Sequence, residues 1–272
     1  MTTFVSVGGD KRIAFMRRYL REHGWTDHTA LFKENGTCDG DVLILPVPAF
    51  TAEGKVSGTA DTDDGKLLSL DLPEIVIGGM LPRTFRNTCA GKGVKVYNVT
   101  DRDDYAIFNA VPTAEAAIMI ALEELPVTLW GSEVLVTGYG RVARVLCERL
   151  QGLGALVTVA ARNPRDLAYA VASGLRGVDI TNLNEVCPAR YRVIFNTVPS
   201  LVIDRAFAEQ MNPESLTIDL ASIPGGCDAD AMESLGRKRI HALSLPGRNA
   251  PESAGFILGR IVEQIVKEAN NG

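Results

Sequence analysis

The sequence predicts an α/β fold of two Rossmann-like parallel-sheet domains, the second a doubly wound, dinucleotide-binding sheet. Three observations predict it. Short β-branched runs alternate with helix-length intervals along the chain. A G-x-G-x-x-A turn, Gly138-Tyr139-Gly140-Arg141-Val142-Ala143, follows one of those runs. A length of 272 residues with 46% hydrophobic content suits two domains of ordinary size.

In chain order, Phe4-Val5-Ser6-Val7 reads as a strand, Gly8-Gly9-Asp10 as a turn, and Ile13, Met16 and Leu20 as one face of a helix. Strands follow at 42–45, stopped by Pro46, at 75–77, stopped by Gly78-Gly79, and at 94–97. Helix-length spacers between strands argue for parallel pairing. The stretch 51–72, rich in Gly, Thr, Asp and Lys, fits either a hairpin or an excursion. From Pro112 to Leu125 strong helix formers predict a helix with its proline in the first turn, where the missing N–H costs nothing, and Pro126 closes it. Being apolar nearly all round, that helix is expected to be buried as a connector. Strands at 134–136, 156–159, 193–195, 216–218 and 239–243 then build the second sheet. Finally, Ile257, Leu258, Ile261, Val262, Ile265 and Val266 recur at helical spacing, predicting a C-terminal helix that packs back on the first domain. The expected organisation is 1–125, including the connector helix, then 126–248, then 249–272.

Composition narrows the partners. With 28 basic and 33 acidic residues, a net charge of −5 and no long basic run, the chain offers no field for a phosphate backbone, so nucleic acid is not expected. The first residues lack signal-peptide character, and no run approaches 18 uninterrupted apolar residues, which predicts a cytoplasmic protein with no membrane span. Cys38, Cys89, Cys147, Cys187 and Cys227 are odd in number and far apart, as reduced thiols would be. With His23, His28 and His241 equally scattered, no metal site is expected.

The glycine turn carries the chemistry. Gly138 permits the tight turn, Gly140 lets the backbone approach a pyrophosphate, Ala143 permits close helix packing, and the N–H groups that open the helix at Arg141 and Val142 face the anion. A tight βα turn without a ligand is the plainer reading; the following strand at the correct distance favours the cofactor. NAD-dependent folds keep a carboxylate at the end of that next strand. Here the place reads Ala160-Ala161-Arg162-Asn163-Pro164-Arg165, with no acid before Asp166. Arg162, helped by Asn163 or Arg165, suits the 2′-phosphate of NADP, which is therefore expected in preference to NAD. Two loop arginines facing water are the alternative. Asn196-Thr197-Val198-Pro199-Ser200 and Asp219-Leu220-Ala221-Ser222 follow the next strands, where a nicotinamide would lie; ordinary turn chemistry also explains them.

Those two runs, with Pro224-Gly225-Gly226, Leu245-Pro246-Gly247, Ala250-Pro251, Ala254-Gly255 and the segment from Asn109 to Glu115, resemble the family of dipicolinate synthase A subunits from spore-forming bacteria. The resemblance spans nearly the whole chain, departing from well-known relatives in 51–72 and at the first helix. Singly, the Asp219 run is also similar to alanine dehydrogenases and transhydrogenases. The resemblance implies NADP-linked oxidation of dihydrodipicolinate, or of its 4-hydroxy-tetrahydro precursor, in the mother cell during sporulation. It also implies a flavoprotein-like partner, the B subunit of dipicolinate synthase, together with a small cyclic dicarboxylate as substrate; a homo-oligomer is open.

Such an oxidation needs orientation more than acid or base strength. Candidate catalytic residues are Glu115, Ser200 and Ser222; candidate partners for the substrate carboxylates are Arg83, Thr113 and Arg248. Solvated arginines, a capping threonine and a first-turn glutamate favoured by the helix dipole are the competing explanations. His241 has the right chemistry for a base but sits within a strand. Two other functions stay open: a shikimate- or hydroxyacid-dehydrogenase-like reductase, for which no Lys-Asp or His-acid pair is evident, and a regulatory or structural NADP-binding protein without independent catalysis.

Overall fold

The computed structural model describes residues 1–28 and 40–271, and the chain divides into two compact units, 1–109 with 246–272, and 110–245. Cys38 lies outside the described residues.

The first unit opens with β1 (Thr3–Ser6) and α1 (Lys11–Glu22). Asp10 caps α1, its carboxylate accepting from the Arg12 N–H at 2.9 Å, and Ile13, Met16 and Leu20 form the buried face. Next come β2 (Thr26–Asp27), β3 (Val42–Ile44), α2 (Asp64–Leu68), β4 (Ile75–Gly78), α3 (Arg83–Gly91) and β5 (Lys95–Asn98). The sheet is parallel in the order β2-β1-β3-β4-β5. Sequence reading missed β2, which is polar, two residues long and on an edge; an edge strand pairs on one side only and needs no apolar run.

The undecided stretch 51–72 is a packed flap. Phe50 bridges Val56 and Lys55 bridges Asp63 in antiparallel fashion, the Gly9 N–H donates to the Ser57 carbonyl at 2.6 Å, and Val56 and Leu67 are fully buried. A Cβ on Gly58 would overlap the Gly9 backbone, so the flap lies directly on the Gly8-Gly9 turn.

The connector is longer than its sequence suggests. Helix α4 runs Asp103–Glu124, so Pro112 lies inside it and not in its first turn, and Thr113 cannot be its N-cap. Asp103 and Asp104 supply the acidic first turn that favours a helix start. Interior proline removes one backbone hydrogen bond, and packing along the helix outweighs that loss. The unit boundary falls within α4, at Asn109–Ala110, instead of at residue 125. Tyr105 belongs to the first unit's core, while Ala114, Ala117, Ile118 and Ala121 belong to the second's. The helix is long and apolar enough to cross a membrane by length and composition, yet these residues make it a core helix.

The second unit continues with β6 (Glu133–Thr137), α5 (Arg141–Gly152), β7 (Leu156–Ala161), α6 (Pro164–Ala172), β8 (Arg176–Asp179), β9 (Val193–Asn196), α7 (Arg205–Gln210), β10 (Leu216–Asp219), α8 (Ala229–Ser234) and β11 (Lys238–His241). Its parallel order, β11-β10-β9-β6-β7-β8, is the doubly wound arrangement, with the reversal of strand order between β6 and β9. The unforeseen β8 is again a polar edge strand.

Helices α9 (Leu245–Asn249) and α10 (Pro251–Asn271) end the chain. Helix α10 returns to the first unit and packs on α1. Gly255 and Gly259 let the two backbones approach, since a Cβ on either would meet Phe15 Cβ or Tyr19 at 2.6 Å. Leu258, Ile261, Val262 and Ile265 complete that core. Burial pushes the Cys147 and Cys227 thiols up to about 12, so both stay protonated and inert.

Candidate functional site

The carboxyl ends of β6 and β9 flank the switch point of the second sheet, where open α/β sheets bind ligands. Gly138 leaves β6 with φ +88°, and a Cβ there would overlap the Thr197 hydroxyl, so the fold itself demands glycine. Gly140 differs. Its φ of −79° suits any residue, and a Cβ would meet nothing within 4 Å, so neither strain nor the chain's own packing requires glycine there. A ligand approaching the backbone closely would supply such a reason. Gly140 also precedes α5 without a side chain to cap it, while Ala143 is fully buried against the sheet.

Two clefts flank this turn. One of about 350 Å³ is lined by Gly138, Tyr139, Arg162, Asn163, Asp166, Val198 and Ser200, among others. The other, about 240 Å³, is lined by Gly140, Arg141, Val142, Thr197 and Leu220. Arg162, exposed at the end of β7, makes no ion pair or hydrogen bond among the described residues. Its guanidinium donors are therefore available to an anion in the cleft. Asn163 lines the cleft but spends its side-chain oxygen capping α6, accepting from the Arg165 N–H at 2.9 Å. Arg165 does not line it; its guanidinium lies 5.6 Å from the Tyr169 ring.

Behind the clefts runs a polar network that ties four strands together. Thr137 Oγ1 donates to Asn196 Oδ1 at 2.6 Å, Asn196 Nδ2 donates to Asp219 Oδ1 at 2.7 Å, and Arg239 Nη2 donates to Asp219 Oδ2 at 2.8 Å. Asp219 also accepts from the Gly226 N–H at 3.1 Å and the Ala221 N–H at 3.3 Å. Burial alone would raise its pKa; the hydrogen bonds from Arg239, Asn196, Gly226 and Ala221 outweigh burial and hold the carboxyl below its ordinary value. Gly225 and Gly226 are built into this network, since a Cβ on the first would overlap Asp219 and on the second Asn196 and the Val198 carbonyl.

The network changes the roles assigned from sequence. Asn196, expected to touch the cofactor, is fully buried with both side-chain atoms engaged, so it positions the 197–200 loop. Thr197, Val198 and Leu220 do line the clefts, whereas Pro199 and Ala221 do not; Ala221 is buried, and its carbonyl contacts His241 Nε2 at 2.8 Å. His241 is therefore a satisfied strand residue. Ser200 lines the Arg162 cleft and Ser222 is exposed outside both, so the structure does not bring the two serines to one place. Glu115 is removed from the turn altogether. It pairs with Arg149 at 3.1 Å, side chain 60% exposed, in a separate apolar groove along α4 and α5. Thr113 lies mid-helix on α4. Arg83 and Arg248 belong to the first unit, both exposed and unpaired among the described residues.

Sequence reasoning missed three participants: Thr137, Arg239 and Arg144. Arg239 was legible only as a basic residue in a strand; its ion pair joins positions 20 apart. Among the described residues no three His, Cys, Asp or Glu side chains gather as a metal would require.

The doubly wound second sheet, its glycine turn at the switch point and the parallel sheet of the first unit define the two-domain, dehydrogenase-like Rossmann class. A transhydrogenase from Sinorhizobium meliloti shares this architecture at TM-score 0.69 and 15% identity, covering 97% of this chain and 94% of that one. No family model matches the chain. The A subunit of dipicolinate synthase from Bacillus subtilis (strain 168) is 34% identical over 233 residues, 84% of this chain and 78% of that protein. The crystal structure of the dipicolinate synthase A chain from Bacillus subtilis matches with TM-score 0.86 and 30% identity over 99% of this chain and 97% of that one. The chain belongs to the dipicolinate synthase A-subunit family.

Proposed function

We propose that this chain carries the dehydrogenase step of dipicolinate formation, the NADP-dependent oxidation of dihydrodipicolinate, reached by loss of water from the 4-hydroxy-tetrahydro precursor. The observation that carries the cofactor half is Arg162. It stands unpaired in the cleft beside the glycine turn, at the strand end where NAD-dependent folds place an acid. The N–H groups opening α5 and the bare Gly140 suit the pyrophosphate. Thr197 and Leu220, held by the Asn196–Asp219 network, line the neighbouring cleft.

When bound, NADP+ supplies the acceptor for a hydride, and aromaticity of the product drives the step. The chain's own work is binding, orientation and exclusion of water. The ring proton leaves to water: Glu115 is paired with Arg149 in a separate groove and His241 is engaged by a backbone carbonyl, and neither lines the clefts at the turn. A reductase of the hydroxyacid or shikimate type would need an acid–base pair for an alkoxide proton, and neither residue provides one. The relative's designation as one subunit of a synthase supports a second, B-type partner, and the setting proposed is the mother-cell cytoplasm.

Mixing the purified chain with freshly generated dihydrodipicolinate and NADP+ or NAD+, with and without the B-type partner, tests this. NADPH formation by the chain alone is expected. NADPH appearing only when the partner is present would give this chain a regulatory role and defeat the proposal.

A further inference from the structure

We propose that Arg144 determines the cofactor specificity of the Gly138 cleft by neutralising Asp166, so that the cleft accepts a 2′-phosphate; this rests on the NADP reading above. Asp166 lines the same cleft as Arg162. An unpaired carboxylate there would accept a ribose hydroxyl, as in NAD-dependent folds, and would repel a phosphate. Arg144 removes that option. Its Nη2 donates to Asp166 Oδ1 at 2.9 Å, while its Nε donates to the carbonyl of Tyr139, the middle residue of the glycine turn, at 3.0 Å.

The guanidinium also lies over two rings, 5.1 Å from the Tyr139 centroid and 5.5 Å from that of Tyr169. Two of its donors are thus committed, and Arg144 itself does not line the Arg162 cleft. It is a positioning residue that sets the cleft's charge. With it, the local balance is Arg144 and Arg162 against Asp166, a surplus of one positive charge. Without it, Arg162 and Asp166 cancel, and no net charge faces a 2′-phosphate that carries nearly two negative charges at neutral pH. The side chains of Arg144 and Asp166 are 49% and 29% exposed, so solvent screens part of the effect and the expected change is about tenfold.

The test measures dissociation constants for NADP+, NAD+ and 2′,5′-ADP, by calorimetry, in the unmutated chain and in Arg144→Gln, Arg144→Lys, Asp166→Asn and the Arg144→Gln/Asp166→Asn double variant. Arg144→Gln should weaken NADP+ and 2′,5′-ADP about tenfold while NAD+ changes less than about twofold. Adding Asp166→Asn should restore most of the loss, and Arg144→Lys, which keeps the charge, should retain part of the preference. An equal loss for NADP+ and NAD+ would show that Arg144 only supports the turn, and no recovery in the double variant would equally overturn the proposal. An unmutated chain that prefers NADP+ and keeps that preference in Arg144→Gln sinks the role of Arg144 alone. An unmutated chain that binds both dinucleotides equally sinks the NADP reading and this inference with it.

Discussion

Replacing Gly140 by alanine should separate cofactor binding from folding, and the neighbouring Gly138→Ala provides the contrast. At Gly140 the backbone sits at φ −79°, and an added Cβ enters open space. Stability then changes through two small opposing effects. Alanine lowers the entropy of the unfolded chain, stabilising by about 0.4–1 kcal/mol. It is also a poorer N-cap than glycine, costing a comparable amount, so the net change is within about 0.5 kcal/mol of zero. At Gly138 the φ of +88° and the overlap with Thr197 Oγ1 act together. Strain of about 1–3 kcal/mol and overpacking of similar size predict a loss of roughly 2–5 kcal/mol, or about 5–15 °C in the melting temperature of a domain this large. Differential scanning fluorimetry with and without NADP+ reads both quantities. Gly140→Ala should melt within about 2 °C of the unmutated chain, yet bind NADP+ at least about tenfold more weakly, since its methyl group occupies the pyrophosphate's path. Undiminished NADP+ binding by Gly140→Ala, or a melting loss as large as that of Gly138→Ala, would refute the assignment of Gly140 to ligand approach.

Three further outcomes follow from the same geometry. Arg162→Asp should reverse or flatten the preference for NADP+ over NAD+ in equilibrium binding, by restoring the acid that NAD-dependent folds carry; an unchanged ratio would remove Arg162 from the site. Asp219→Asn removes the buried anion that the partly buried Arg239 guanidinium is paired with and should destabilise by about 3–5 kcal/mol in chemical denaturation. Because the folded pKa of Asp219 lies below its unfolded value, its stabilisation is present above about pH 4 and is lost as pH falls through the folded value. Asp219→Asn should therefore flatten the acid limb of the stability curve, and an identical limb would contradict the network's role. Glu115→Gln should change stability by less than about 0.5 kcal/mol and leave NADPH formation intact, because an exposed pair with Arg149 contributes little; a large loss of kcat would return Glu115 to the catalytic residues.

The alternation of short apolar runs with helix-length spacers was enough to predict two parallel sheets, because a central parallel strand buries both faces and cannot hide its composition. Two of the four edge strands escaped the same reading: β2 and β8 pair on one side only and carry polar residues, whereas the edge strands β5 and β11 keep enough apolar residues to be legible. Pro112 misled because a proline is far more common at a helix start than inside one, and only the packing of Ala114, Ala117 and Ala121 shows that α4 continues through it. The flap over 51–72 was equally illegible, since its order comes from backbone contacts with Gly9 and Ala49 and not from any periodicity of its own.

The candidate site divides in the same way. Gly138, Gly140 and Arg162 were legible from sequence alone because a βα turn is local: strand, turn, helix and the next strand end lie within about thirty residues, and local geometry constrains which residues can stand there. What the sequence by itself determined is the fold class, the family resemblance and the position of the glycine turn. Only the tertiary structure decided that Asn196 faces Asp219 and not a cleft, that Glu115 is spent on Arg149, and that Asp166 is neutralised by Arg144. The physical reason is that charge and hydrogen-bond satisfaction depend on which strand ends and helix faces meet in space. Those meetings join residues 22 to 34 positions apart, across turns of helix and sheet that no linear spacing records.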